Sequence, residues 1–196
     1  SLFKGCFDFW LAQNSYSKNK NVVPIPIGFE NKRWEARFGP KTHWLQEVSK
    51  DQLSALELVY LNCKTKTNPK ERGECYAYCD GLSFVNCEPP NLSYKNFLQK
   101  VKSHKFTISP EGNGLDCHRT WEILMMGGIP IIKRKATLER LYGEELPVLF
   151  IDKWEDLNTL NLEKIYISLQ EKVNKAAGGY LYFSYWRNKF NKLLYT

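Results

Sequence analysis

Two arginines and a glycine-rich turn are the residues of this chain best suited to chemistry. Gly112-Asn113-Gly114 stands between the β-rich run Phe106-Thr107-Ile108 and a segment, Asp116 to Met126, with helical periodicity. A turn from a parallel strand into a helix gathers free backbone N–H groups and the positive end of a helix dipole at one spot, which suits a phosphate. A loop of this kind also serves simply to make the turn. His118 and Arg119 fall in the first helical turn, where the dipole disfavours basic side chains unless an anion shares the place. Glu122 lies on the same face as Arg119, able to accept from two ribose hydroxyls or to pair with Arg119 itself. Arg72 follows Thr67-Asn68-Pro69, so its guanidinium and that of Arg119 can converge on one diphosphate, with an ordinary surface ion pair as the alternative for Arg72.

The elements that would position these groups alternate. Strands are expected over Val22–Ile25, Glu57–Cys63, Leu82–Val85, Phe106–Ile108, Ile129–Ile132 and Pro147–Ile151. Helices are expected from Pro69, capped by Asn68, through Cys79, over Ser93–Lys102, from Asp116, acting as N-cap, to Met126, over Thr137–Tyr142, and from Asn161 onward. Lys50–Leu56 reads as a turn or short helix. Strand and helix at this spacing imply an α/β fold, a doubly wound, Rossmann-like parallel sheet with right-handed crossovers. Ligands in such sheets bind beyond the carboxyl ends of the strands, which singles out the loops after Cys63, Ile108 and Ile151.

The string from Ser109 to Glu122, followed by Gly127-Gly128-Ile129-Pro130, closely resembles the C-terminal motif of the exostosin-like glycosyltransferases. Phe9 to Asn14 leading into Ile25-Pro26-Ile27-Gly28, and Thr67-Asn68-Pro69 with Arg72, resemble earlier segments of that family in the same order. The resemblance implies a two-domain glycosyltransferase of GT-B type moving a sugar from a UDP-sugar to a glycan hydroxyl. It implies a donor-binding set of Arg72, Ser109, Gly112, Asn113, Gly114, His118, Arg119 and Glu122. Metal-dependent transferases usually hold their diphosphate with an Asp-x-Asp pair, and this chain contains none, so arginines and a helix N-terminus are the available substitute. Inverting, metal-independent transfer without a cofactor is therefore expected. Inversion needs a base on the acceptor side, for which Asp8, Glu30 and His43 are the upstream candidates. The expected organisation is a remnant or linker toward an acceptor-side domain over 1–50, the donor-binding domain over 51–178, and a C-terminal helix over 179–196 crossing back. A non-catalytic nucleotide-sugar or polyanion binding module is the alternative.

Composition is compatible with this reading. The 196 residues are 43% hydrophobic, ample for one packed core, and the net charge of +7 favours anionic partners, be they nucleic acid, acidic glycans or nucleotide diphosphates. No nucleic-acid module or aromatic-basic interleaving is present, so nucleic acid is not expected as partner. No apolar run approaches the roughly 20 residues that span a bilayer, and the chain as given reads as soluble, cytoplasmic if microbial or viral and luminal to the Golgi if a trimmed animal or plant protein. Its six cysteines read mostly as buried thiols, with Cys117 a packing residue and a cluster of Cys75, Cys79 and Cys87 as the metal alternative. His104 is expected to cap the helix before it, and the aromatic cluster from Tyr180 to Trp186 to pack rather than to bind sugar.

Overall fold

A computed structural model describes residues 8–30, 41–143 and 145–194. Five parallel strands form the central sheet: β3 (Glu57–Leu61), β4 (Val85–Cys87), β5 (His104–Ile108), β6 (Ile129–Lys133) and β7 (Leu149–Ile151), in the order β4-β3-β5-β6-β7. Two shorter strands, β1 (Trp10–Ala12) and β2 (Val22–Pro24), pair in parallel outside it. The helices are α1 (Lys41–Lys50), α2 (Pro69–Cys79), α3 (Tyr94–Ser103), α4 (His118–Met125), α5 (Ala136–Tyr142), α6 (Leu162–Lys175) and α7 (Phe183–Leu194).

The strands are apolar on both sides because helices cover both faces. Val59, Leu61, Phe106 and Ile108 pack in one cluster with Cys75 and Cys79 of α2 and with α6. Tyr60, the intervening residue of β3, points the other way, into a cluster with Leu45 and Val48 of α1, Phe97 and Leu98 of α3 and Ile123 of α4. A third cluster joins Trp121, Leu138, Tyr142 and Trp186, with the Trp121 and Trp186 rings 5.9 Å apart edge to face. The C-terminal aromatics thus largely pack, as expected, although Tyr182 and Phe183 stay exposed.

The local signals mostly act as read. Asn68 accepts from the Glu71 N–H at 3.3 Å with Pro69 at the first helical position, and Ser93 accepts from Asn96 at 3.2 Å. His104 Nδ1 bonds the Lys100 carbonyl at 2.6 Å, which makes it the cap foreseen for α3. Gly127, at φ +78°, ends α4 so that the chain turns directly into β6.

Four expectations need correction. The helix sought at Lys50–Leu56 ends at Lys50 and occupies Lys41–Lys50, because Leu45 and Val48 have an apolar groove beside α3 to fill. The strand expected over Leu82–Val85 is shifted to Val85–Cys87, where it pairs with Val59–Leu61. Strand β1 went unread, since three residues gain a partner only through β2. Asp116 is not the N-cap of α4; Cys117 holds that place without a side-chain cap bond.

Candidate functional site

The strand order reverses between β3 and β5: from β3 the chain moves outward to β4, then crosses back to β5 and on through β6 to β7. At such a switch point the crossovers on either side depart in opposite directions and leave a crevice beyond the carboxyl ends of the strands. Arg72 reaches it from the segment after β3, and the 109–117 loop with α4 reaches it from β5. The loop after β7, also singled out from the sequence, lines neither cavity found there, because β7 is the edge strand, two places from the reversal.

A cleft of about 480 Å³ opens at this point, with Arg72, Gly112, Asn113, Gly114, His118 and Arg119 on its wall. Glu122 lines it too, and a second cavity of about 460 Å³ adjoins it past Arg72, Arg119 and Glu122. Seven of the eight residues in the expected donor-binding set therefore come together. Ser109 does not: it is buried, its hydroxyl 3.0 Å from Thr120 Oγ1, and it braces the root of the loop from behind.

Each basic group is held differently. Arg72 is only 7% exposed, and it donates through Nε to the Glu111 carbonyl at 3.0 Å and through Nη1 to the Lys64 carbonyl at 2.9 Å. Neutral carbonyls orient this guanidinium without cancelling its charge, and the surface ion pair considered for it is not formed with any described residue. Arg119 lies with Cζ 4.6 Å from the Phe97 ring centre, and its Nη1 is buried with no hydrogen-bond partner among the described residues. A buried, unpaired guanidinium nitrogen is costly unless a ligand satisfies it. The Arg119–Glu122 pair allowed by the spacing is absent, because Glu122 instead accepts from the Tyr94 hydroxyl at 2.8 Å. Burial, and next the charge of Glu122, push the Tyr94 phenol well above its usual range, so it remains a donor that fixes one carboxylate oxygen.

The loop itself is braced from three sides. Asn68, having capped α2, also donates through its amide to the Gly112 carbonyl at 3.1 Å. Asn14, at φ +50°, accepts the Asp116 N–H at 2.6 Å, so close that a Cβ on Gly114 would stand 2.5 Å from its Cγ. A Cβ on Gly112 would stand 2.8 Å from Arg72 Nη2. Both glycines are thus required by close approach of neighbouring side chains. His118 Nδ1 bonds the Gly28 carbonyl at 2.7 Å, and Ile27 N–H donates to Asp116 at 2.7 Å, which ties the Pro26-Ile27-Gly28 turn to the start of α4. Asp116 is 2% exposed and also accepts from Trp121 Nε1 and Tyr142 Oη at 2.9 and 2.6 Å. Burial raises its pKa, while these three donors oppose the shift. Burial also raises the Cys117 thiol, leaving it a protonated packing group against the Gly114 carbonyl.

Of the upstream acid-base candidates, Glu30 alone reaches the cleft, where it is ion-paired with Lys41. Asp8 is exposed, and His43 is exposed and paired with Glu47 at 3.1 Å; neither lines the cavities. Asn14, Lys41, Thr67 and Tyr94 are site residues that went unread. Asn14 belongs to a segment noticed for its resemblance, but nothing in its type announces a role that depends on a partner 102 positions away. Among the described residues no group of three or more His, Cys, Asp or Glu is arranged to hold a metal, and Cys63, Cys75, Cys79, Cys87 and Cys117 are free thiols, Cys6 lying outside the described residues. No helix of the described residues is long and apolar enough to cross a membrane.

Comparison with known proteins places the second half of this architecture. A family model described as the RXYLT1 C-terminal domain matches residues 74–195, which takes in the loop, His118, Arg119 and Glu122 but not Arg72, Asn14 or Glu30. Ribitol-5-phosphate xylosyltransferase 1 of Mus musculus is 25% identical over 122 residues, covering 53% of this chain and 28% of that protein. Its Homo sapiens counterpart of the same name is 26% identical over 99 residues, covering 43% of this chain and 22% of that protein. The chain thus matches between a fifth and a third of the length of these curated relatives.

Proposed function

The chain belongs to the RXYLT1 C-terminal domain family, and from that membership and the geometry of the cleft we propose that it holds the donor site of a glycosyltransferase. The reading is of an exostosin-like, GT-B type enzyme whose donor is a UDP-sugar and whose acceptor is a hydroxyl of a glycan or polyol phosphate. The names of the relatives support a pentose, xylose, as the sugar and a ribitol 5-phosphate unit as the acceptor.

The observation that carries the proposal is the convergence of Arg72, Arg119 and the 112–114 turn on one cleft at the reversal of the sheet. When a sugar leaves a nucleotide, negative charge grows on the departing diphosphate and positive charge on the anomeric carbon. Two guanidinium groups already oriented by carbonyls and an aromatic ring stabilise that developing charge without having to reorganise. The diphosphate belongs against the turn and the arginines, the ribose at Glu122, and the nucleoside in the adjoining cavity, where Phe97, Tyr94 and Leu92 supply apolar surface. With arginines in place of an Asp-x-Asp pair, the transfer is proposed to be metal-independent. The acceptor oxygen attacks the anomeric carbon from the face opposite the diphosphate, the bond to UDP breaks, and the configuration inverts.

Calorimetric titration with UDP, in the presence and absence of EDTA and against ADP and GDP, tests this. Saturable, UDP-selective binding indifferent to EDTA is expected, and Arg119→Ala should weaken it by about 1–3 kcal/mol, the cost of a charge-assisted contact. Nucleotide binding that is absent, or that requires a divalent ion, defeats the proposal. The ion pair that engages Glu30 favours one second reading, a nucleotide-sugar binding module without turnover. Retained UDP binding with no transfer would identify it.

A further inference from the structure

Inverting transfer leaves one role unfilled, the group that takes the proton of the acceptor hydroxyl. Three carboxylates and one imidazole line the first cavity. Asp116 has its oxygens occupied by the Ile27 N–H, the Trp121 indole and the Tyr142 hydroxyl and is almost wholly buried. Glu122 is 7% exposed, held by Tyr94, and shares α4 with Arg119. His118 stands next to Arg119 in the first turn of the same helix, hence with the groups that receive the leaving diphosphate. A nucleophile that displaces a leaving group in line arrives from the opposite face, so its base cannot sit among the groups holding that leaving group.

Glu30 differs on each count. It comes from the N-terminal segment rather than from the loops of the sheet, its side chain is 21% exposed, and its one recorded partner is a mobile type of group, the ammonium of Lys41. That ammonium also stands 5.0 Å from the centre of the Tyr94 ring, and Lys41 lines both cavities. Lys41 therefore orients Glu30 from one side while its other oxygen remains for a substrate.

We infer that Glu30 is the proton acceptor of the transfer and Lys41 its positioning residue, an assignment that rests on the donor-site reading above. As the acceptor oxygen bonds to the anomeric carbon and the bond from that carbon to the diphosphate breaks, the hydroxyl proton passes to the Glu30 carboxylate and UDP departs with the bonding electron pair. Charge and atoms balance without any further reactant.

The test uses the whole chain, UDP-xylose as donor and ribitol 5-phosphate as acceptor, with UDP release and UDP binding measured separately. Glu30→Gln is expected to lower kcat by about 100- to 10,000-fold, the span typical of a general base, while the Kd for UDP changes less than about threefold. The acid limb of the pH–rate profile should disappear in this variant. Formate should restore turnover to Glu30→Ala, which a merely structural carboxylate would not permit. Lys41→Gln should lower kcat less than Glu30→Gln and leave formate without effect. Unaltered turnover in Glu30→Gln, absence of formate rescue, or a wild-type chain that binds UDP yet transfers nothing each overturns the assignment of Glu30. Failure to bind UDP at all overturns instead the donor-site reading on which it rests.

Discussion

Replacing Gly114 by Ala tests the bracing of the phosphate turn at its tightest point. The new methyl carbon would stand 2.5 Å from Asn14 Cγ and 2.7 Å from both its terminal atoms, well inside van der Waals contact. Asn14 can yield only by swinging its amide away, which gives up the 2.6 Å bond from the Asp116 N–H. Leaving that N–H unsatisfied costs about 1–2 kcal/mol, and residual crowding in a packed loop adds about 1–2 kcal/mol, so a loss near 3 kcal/mol is expected. Asn14→Gly removes the obstacle while keeping a residue at ease at φ +50°, and should cost about 1–2 kcal/mol for the same lost bond. In the double variant the crowding is gone and the bond is lost only once, so the total should be close to that of Asn14→Gly alone. The two substitutions should therefore couple by about 2–3 kcal/mol in urea-unfolding experiments, far above the few tenths expected of independent sites. Additive effects would refute the claim that Gly114 is a glycine on account of Asn14. UDP titration of the same four proteins gives a second readout, since affinity should fall in Gly114→Ala and recover at least partly in the double variant.

Three further outcomes are expected. Gly112→Ala places a methyl 2.8 Å from Arg72 Nη2 and 3.2 Å from Cys117 Sγ, so UDP affinity should drop about tenfold, or about 1.4 kcal/mol, as the guanidinium shifts; isothermal titration would show it. Asp116→Asn turns an amide toward a shell made of donors, Ile27 N–H, Trp121 Nε1 and Tyr142 Oη, and should lower stability by about 2–4 kcal/mol by thermal or urea unfolding. Tyr94→Phe frees the Glu122 carboxylate from its 2.8 Å bond and should weaken UDP binding by about three- to tenfold with little change in fold by circular dichroism. An unchanged affinity in Tyr94→Phe would show that Glu122 needs no fixing.

The sequence by itself determined the elements and their alternation, because strand and helix follow from short-range causes. Asn68 before Pro69 starts α2, Ser93 starts α3, and apolar runs such as Phe106–Ile108 and Ile129–Ile132 can only be strands covered on both faces. It also marked the turn at Gly112–Gly114 with Arg72, His118, Arg119 and Glu122, since glycines before a helix and basic groups in its first turn violate local preference in a way that an anion resolves. What each side chain does with its neighbours was decided only in three dimensions. Asp116, suited by type and position to cap α4, is drawn instead into a buried shell of Ile27, Trp121 and Tyr142, and the predicted Arg119–Glu122 pair gives way to Tyr94, 28 positions before Glu122. Ser109, adjacent to the loop in sequence, turns inward to Thr120, whereas Asn14 and Glu30, far upstream, complete the cleft. The physical reason is the reversal of strand order between β3 and β5, which brings three remote segments to one crevice and is encoded in how the sheet packs rather than in any local stretch of chain.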